Sequence, residues 1–395
     1  MRIGILGYGT VGSGVYDIIN KNQGNRMNDI EVIKILRHHQ NQCTSEVMCC
    51  DFSELLNSKL DLIVECMGGI EPAHTYIVEA LSHGHHVVSA NKAVIAKYLK
   101  EFHDLANKHC VSFNYEASCG GGIPWIASLQ KAMRIDNITS LHGIFNGTSN
   151  FILDHMERNS ASYEDVLKQA QALGYAEHDP SDDVNGADCM RKIYITSALA
   201  YESILPSYIP FFGIENLRLS DILLFKKWGL NLRLIGESKC VSLNYAAVVE
   251  PMLYDTHSVE SATHDNNNLG CLLGETIGEL KFYGQGAGKF PTANAIIQDI
   301  IDIKEQIKPT SYTFPNIVKR SDTLLHGTYV LRCKVNDQTK FLINEIKQEI
   351  IKYDQATYII TKDIPCSMMH AYCAKFIKYD NELFFARFVN ERKGV

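Results

Sequence analysis

Asp188 and Lys192 stand four residues apart, the spacing that puts two side chains on one face of a helix. A lysine so placed can carry a proton. It removes one from a hydroxyl when an alcohol is oxidised by hydride transfer, and returns it in the reverse direction. A free lysine ionises at about 10.4, so service as a base requires burial or a nearby cation to lower that value. Lys92 is the candidate cation. Asp188 pulls the other way, which suits it to orienting Lys192 and a substrate. The same spacing also describes an ordinary surface ion pair worth ~0.3–0.5 kcal/mol, so spacing alone leaves both readings open.

A second set of residues points to the carrier of the hydride. Gly7-Tyr8-Gly9-Thr10-Val11-Gly12 fits GxGxxG, a string that is weak evidence by itself. Its context adds weight, because an apolar run over 3–6 ends at the first glycine and a helical pattern opens at the third. Gly7 then serves the tight turn, Gly9 admits a pyrophosphate to the backbone, and Gly12 lets helix and strand pack closely, with the anion on the helix N-terminus. An NAD-specific site places a carboxylate at the end of the second strand to meet the ribose. Here residues 33–36 run into Arg37-His38-His39 instead. Arg37 suits a 2′-phosphate, so NADP is favoured over NAD; the competing reading is a solvated loop charge.

These residues need a frame. β-rich runs at 1–6, 30–36, 62–66, 86–89 and 111–115 alternate with helical patterns at 14–20, 73–82 and 94–108, the signature of a doubly wound parallel sheet. After about residue 122 the pattern changes: helix at 123–134, strand at 138–145, amphipathic helices at 163–173 and 188–201, and strand-rich stretches at 240–251 and 280–283. Pro309 and Pro315 mark a linker over 308–316. The expected organisation is α/β: a Rossmann-like nucleotide-binding domain at 1–130 completed by about 284–305, an α+β substrate and dimerisation domain at 131–283, and a small C-terminal module at 325–395. No internal repeat or low-complexity tract stands out.

The 395 residues are 46% hydrophobic and 21% charged, as in folded globular chains. A net charge of −7 argues against a nucleic-acid or anionic-membrane partner. No apolar run approaches a bilayer-spanning length, and Met1 leads straight into the nucleotide motif without the zones of a signal peptide, so a cytoplasmic protein is expected. Twelve cysteines are scattered without a CxxC pair. Cys49-Cys50 and His83/His85/His86 are the spots that hint at metal, and both read more simply as buried thiols and ordinary histidines.

Further strings fit together: Glu65-Cys66-Met67-Gly68-Gly69-Ile70-Glu71-Pro72, Ala90-Asn91-Lys92-Ala93, Glu116-Ala117-Ser118-Cys119-Gly120-Gly121-Gly122-Ile123-Pro124 and Asn146-Gly147-Thr148-Ser149-Asn150. Gly174-Tyr175-Ala176-Glu177-His178-Asp179-Pro180, Asp183-Val184-Asn185-Gly186-Ala187-Asp188 leading to Lys192, and Gly284-Gln285-Gly286-Ala287-Gly288 follow. In order and spacing these resemble homoserine dehydrogenase over about residues 1–305. The resemblance implies NAD(P)-dependent interconversion of L-homoserine and L-aspartate 4-semialdehyde, on the route to threonine, methionine and isoleucine. It gives Glu177 the substrate ammonium, and Gly147, Thr148 and Tyr175 the other polar groups; for the last two a helix cap and a core aromatic are the plainer alternatives. Gly288 would return the chain to the cofactor. It also implies a monovalent cation, sodium by its hard oxygen ligands, at Glu116 and the backbone carbonyls of Cys119, Gly121 and Ile123, against which stands a purely local role for Glu116. A homodimer or higher homo-oligomer is implied too. The competing functions are a reductase of a related amino-acid aldehyde and a non-catalytic NAD(P) sensor.

Many members carry a βαββαβ ACT domain through which threonine inhibits. Residues 329–335, 356–361 and 383–389 read as strands, and 340–351 and 367–376 as helices, one strand short of that order. Asn336-Asp337-Gln338-Thr339 occupies the place of the usual Pro-Gly pair. A degenerate ACT-like module that aids assembly and ignores threonine is the expectation.

Overall fold

The computed structural model describes residues 1–21, 27–39, 43, 45–206, 208–307 and 312–390. They gather into two compact units: Met1–Ile135 with Tyr194–Ile204 and Gly284–Asn316, and Asp136–Ile193 with Leu205–Tyr283 and Ile317–Val395. Of the expected linker, residues 308–311 lie outside the described residues; Asn316 belongs to the first unit, where its amide reaches the Tyr201 carbonyl at 3.0 Å.

In the first unit six strands form one parallel sheet in the order Met48–Cys49, Glu31–Leu36, Arg2–Leu6, Leu62–Glu65, His86–Ser89, Phe113–Asn114. Chain order therefore reverses between Arg2–Leu6 and Leu62–Glu65, the place where such sheets bind dinucleotides. Ile3, Ile5, Val64 and Val88 are buried against Val15 and Ile19 of helix Thr10–Lys21 and Ile296 and Ile300 of helix Lys289–Lys304. Gly14 permits that helix contact, since a Cβ there would lie 2.8 Å from the Lys289 carbonyl oxygen.

The second unit is built on a ten-stranded sheet whose main path runs Gly278–Gln285, Asn267–Gly274, Ile138–Ile144, Leu230–Val241, Asn244–Asp255, Phe384–Phe388, Tyr329–Arg332, Ala356–Thr361, Lys347–Tyr353. The strand expected at 240–251 is in fact two halves of a long hairpin, turning at Ser242 and Leu243 with φ of 49° and 61°. Helix Gly147–Asn159, unmarked in the sequence, is fastened by Glu157, whose carboxylate takes Arg233 Nη1 at 2.7 Å and the Leu232 amide at 2.6 Å. Both side chains are buried, so removing either would strand a charge at a cost of ~3–5 kcal/mol. Helix Ala187–Ala200 carries Asp188 and Lys192 and approaches the sheet over Gly236, where a Cβ would lie 3.0 Å from Cys189 Sγ and 3.2 Å from Ile193 Cβ.

The tail departs from expectation in one respect. Helix Asp337–Ile346 stops early and the chain enters strand Lys347–Tyr353, turning at Asp354 and Gln355 (φ 45° and 62°) into Ala356–Thr361. The full βαββαβ order is present. The missed strand is an edge strand with mostly exposed residues, so no inward-facing alternation marks it. In place of Pro-Gly, Asn336 caps the helix reciprocally with Thr339: its side chain accepts from the Thr339 amide at 2.9 Å, and its own amide donates to Thr339 Oγ1 at 3.0 Å. Strand Phe384–Phe388 pairs in parallel with Asn244–Asp255, so the tail's strands continue the sheet of the second unit.

Candidate active site

The glycine turn sits at the end of strand Arg2–Leu6. Gly7 has φ 93°, a conformation that costs glycine little, and its amide donates to the Leu36 carbonyl at 3.2 Å. The helix opens at Thr10, earlier than its sequence pattern indicates. A Cβ on Gly12 would lie 2.1 Å from the Gly7 carbonyl oxygen, whereas one on Gly9 would meet no atom within 4 Å. Gly12 thus holds the turn closed and Gly9 leaves it open outward, as an approaching pyrophosphate requires. Arg37 lies over the Tyr8 ring at 5.2 Å and donates from Nη1 to the Tyr8 carbonyl at 3.2 Å.

Lys92 begins helix Lys92–Lys108, and a buried network fixes that helix start. Glu65, at the end of strand Leu62–Glu65, accepts from Ser89 Oγ at 2.6 Å, the Met67 amide at 2.8 Å and Asn91 Nδ2 at 3.4 Å. Burial pushes its carboxyl above the usual range, while these donors pull it back. Asn91 caps the helix through the Val94 amide and donates to the Gly69 carbonyl at 2.7 Å. Glu65, Ser89 and Asn91 were not singled out from sequence.

In the second unit Lys192 Nζ is buried and donates to the Phe145 carbonyl at 2.6 Å and to Asp188 Oδ2 at 2.8 Å. That oxygen also accepts from Asn146 Nδ2 at 2.8 Å, which donates in addition to Asp183 Oδ1 at 2.7 Å. A surface ion pair is excluded, because Asp188 and Lys192 are only 2% and 8% exposed. Asn146, quoted from sequence only as part of a motif, was given no role there. Its side-chain oxygen caps helix Gly147–Asn159 at the Ser149 amide (2.7 Å) while its amide nitrogen bridges the two aspartates. The next residues pack around it: a Cβ on Gly147 would lie 2.7 Å from the Asn266 carbonyl oxygen, and Thr148 Oγ1 donates to the Tyr175 carbonyl at 2.7 Å. Tyr175 is 41% exposed and Glu177 is exposed, so neither is spent on the core.

Glu116 is buried in the first unit beside a cavity of about 300 Å³. Its two oxygens accept from the Ile126 and Ala127 amides at 2.8 and 2.7 Å, so it caps helix Trp125–Ala132. Burial nevertheless pushes its carboxyl up to about 7. Its amide donates at 2.9 Å to Asp299, itself raised well above the usual range by burial and the Glu116 charge. The Ile123 carbonyl accepts from the Trp125 amide at 2.7 Å. Both Glu116 oxygens are thus engaged by the helix start. His83, His85 and His86 go separate ways, to the Glu79 carbonyl, the Leu60 carbonyl and the Ser112 amide.

Two family models match the chain: the homoserine dehydrogenase NAD-binding domain over residues 7–116, and homoserine dehydrogenase over 124–301. The chain is 34% identical over 355 residues to the homoserine dehydrogenase of Bacillus subtilis, covering 86% of this chain and 82% of that one. It belongs to the homoserine dehydrogenase family. The corresponding protein of Lactococcus lactis is 36% identical over 321 residues, covering 78% and 75% of the two chains. Among solved structures, the homoserine dehydrogenase of Thiobacillus denitrificans superposes with a TM-score of 0.86 at 26% identity, covering 99% of this chain and 98% of the other. That of S. aureus at pH 6.5 gives 0.76 at 30%, covering 99% of each.

The chain is therefore an NAD(P)-dependent oxidoreductase that interconverts L-homoserine and L-aspartate 4-semialdehyde, and the sensor and related-aldehyde readings fall away. Of the residues named from sequence, the second unit holds Lys192, Asp188, Gly147, Thr148, Tyr175 and Glu177. The first holds the glycine turn with Tyr8, Thr10 and Val11, together with Arg37, Lys92, Glu116, Cys119, Gly121, Ile123 and Gly288. Among the described residues, no helix is long and apolar enough to cross a membrane.

Proposed function

We propose that Lys192 is the proton carrier of this homoserine dehydrogenase. The observation that carries the reading is its buried Nζ, aimed by the Phe145 carbonyl and by an Asp188 carboxylate that Asn146 holds in place. In the oxidising direction Lys192 Nζ takes the proton of the homoserine hydroxyl, and in the reducing direction it returns it. The glycine turn Gly7–Gly12 would hold the nicotinamide dinucleotide, which would supply the hydride acceptor. Glu177 faces the substrate ammonium, and Gly147, Thr148 and Tyr175 border its polar groups. Lys92, fixed through Asn91, contributes positive charge, and Gly288 meets the cofactor. A cation at Glu116 and the carbonyls of Cys119, Gly121 and Ile123 would offset the buried carboxylate charge. Exposed Val241 and Leu273 on the large sheet, with Leu243 in the hairpin turn, suit association of two copies. The decisive assay offers L-homoserine with NAD⁺ or NADP⁺ and follows absorbance of the reduced cofactor; a flat trace with both overturns the reading.

Arg37 places a guanidinium where a carboxylate would mark NAD specificity, so NADP(H) is expected to bind at least as tightly as NAD(H). Arg37→Ala should weaken NADPH by about tenfold or more, the loss of a hydrogen bond to a charged group, and leave NADH unchanged. Fluorescence titration of both cofactors measures it, and an unaltered NADPH affinity would remove Arg37 from the site. The tail closes its first helix with the Asn336 and Thr339 side chains instead of a glycine that lets a ligand approach. Initial rates are accordingly expected to stay flat across a millimolar titration of L-threonine. Saturable inhibition would show that the module still senses it.

A further inference from the structure

The twelve cysteines are free thiols, and most are buried singly as small apolar groups. Cys43 and Cys50 differ. Both are half-buried, and their Sγ atoms stand 2.6 Å apart, nearer than two unbonded sulfurs settle. Cys49 does not compete for the contact: it is buried in strand Met48–Cys49, and its Sγ reaches the Ile35 carbonyl at 3.7 Å. Contact with Cys43 pushes the Cys50 thiol up to about 11, so at neutral pH Cys50 keeps its proton.

The pair lies beside the cofactor residues of the second strand. The Arg37 amide donates to the Cys49 carbonyl at 2.8 Å and the Ile35 amide to the Val47 carbonyl at 2.7 Å. Cys50 follows directly on this edge strand, and Cys43 Sγ lies 4.0 Å from the His39 carbonyl oxygen. A bond between the two sulfurs would tie Cys43 to the sheet edge beside Arg37.

We propose that Cys43 and Cys50 form a reversible intrachain disulfide that pins Cys43 to the end of the edge strand whose Cys49 carbonyl holds the Arg37 amide, and tightens NADP(H) binding. The oxidant is a hydroperoxide or a small-molecule disulfide. Two S–H bonds break, one Sγ–Sγ bond forms, and two electrons with two protons pass to the oxidant, giving water and an alcohol from a hydroperoxide or two thiols from a disulfide. A cellular thiol reverses the step by exchange. The gain in affinity comes from ordering Arg37 before the cofactor arrives; this part rests on the assignment of Arg37 to the 2′-phosphate.

The test compares full-length protein reduced with dithiothreitol and protein oxidised with tert-butyl hydroperoxide. After alkylation and trypsin, peptide 38–59 contains Cys43, Cys49 and Cys50. It is expected to carry three alkyl groups from reduced protein and one from oxidised protein, and in Cys50→Ser both remaining cysteines stay alkylated after oxidation. NADPH affinity should rise about threefold or more on oxidation, return with thiol and stay constant in Cys50→Ser, with NADH unaffected throughout. Full alkylation of the oxidised wild type, or equal NADPH affinity of its two forms, overturns the proposal. An Arg37→Ala protein that binds NADPH like wild type overturns the assignment of Arg37 instead, so the two failures are read on different measurements.

Discussion

Lys192→Ala should lower kcat by roughly 10²–10⁴-fold, the usual worth of a positioned proton carrier, and leave cofactor affinity nearly unchanged. The substitution removes the Nζ that bridges Phe145 and Asp188 but touches nothing in the glycine turn. It also leaves the buried Asp188 carboxylate with one partner fewer, so some stability is lost. Asn146 still donates to it, which limits the damage. Lys192→Met, closer in volume, repeats the measurement with less cavity. Intact cofactor binding, followed by fluorescence on the same preparations, shows that the protein is folded. Turnover near the wild-type value in both variants would end the assignment.

Gly12→Ala should remove most cofactor binding, on the order of a 100-fold loss, and lower the melting temperature as well. The new methyl carbon would lie 2.1 Å from the Gly7 carbonyl oxygen, so the turn must open before it can fit. Gly9→Ala makes an informative partner, because its methyl group meets no protein atom within 4 Å and would obstruct only a ligand. It should weaken the cofactor while leaving thermal stability as it was. Thermal melts and NADPH titrations of both variants give a two-by-two comparison. A Gly12→Ala protein that binds and melts like wild type would show that the turn is not the dinucleotide site.

Much of this arrangement is legible in the sequence because its signals are local. The glycine turn, the alternation of apolar runs with helical stretches and the four-residue step from Asp188 to Lys192 can each be read within a short window. Features set by tertiary packing are not. Helix Gly147–Asn159 is buried along nearly all its first two turns and so lacks a polar stripe. Strand Asn267–Gly274 is an apolar run with glycine at both Gly270 and Gly274, and Lys347–Tyr353 is an exposed edge. Asn146 reads from sequence as one residue of a motif. Its role depends on Asp183 and Asp188, which the fold brings to its amide from far along the chain. The meeting of Cys43 with Cys50 is likewise invisible until the edge strand is in place.

The parallel pairing of Arg387 with Met252 and of Phe388 with Leu253 has a consequence for how the chain is made. Strand Phe384–Phe388 lies between Asn244–Asp255 and Tyr329–Arg332, although it follows both in the chain. During translation the growing sheet keeps an open edge along Asn244–Asp255 until residue 388 has left the ribosome. An unpaired edge is a template for other chains, and a contact so distant in sequence is slow to form. Nascent protein thus passes through a long interval of vulnerability to aggregation, which ends when Phe384–Phe388 slides into its slot.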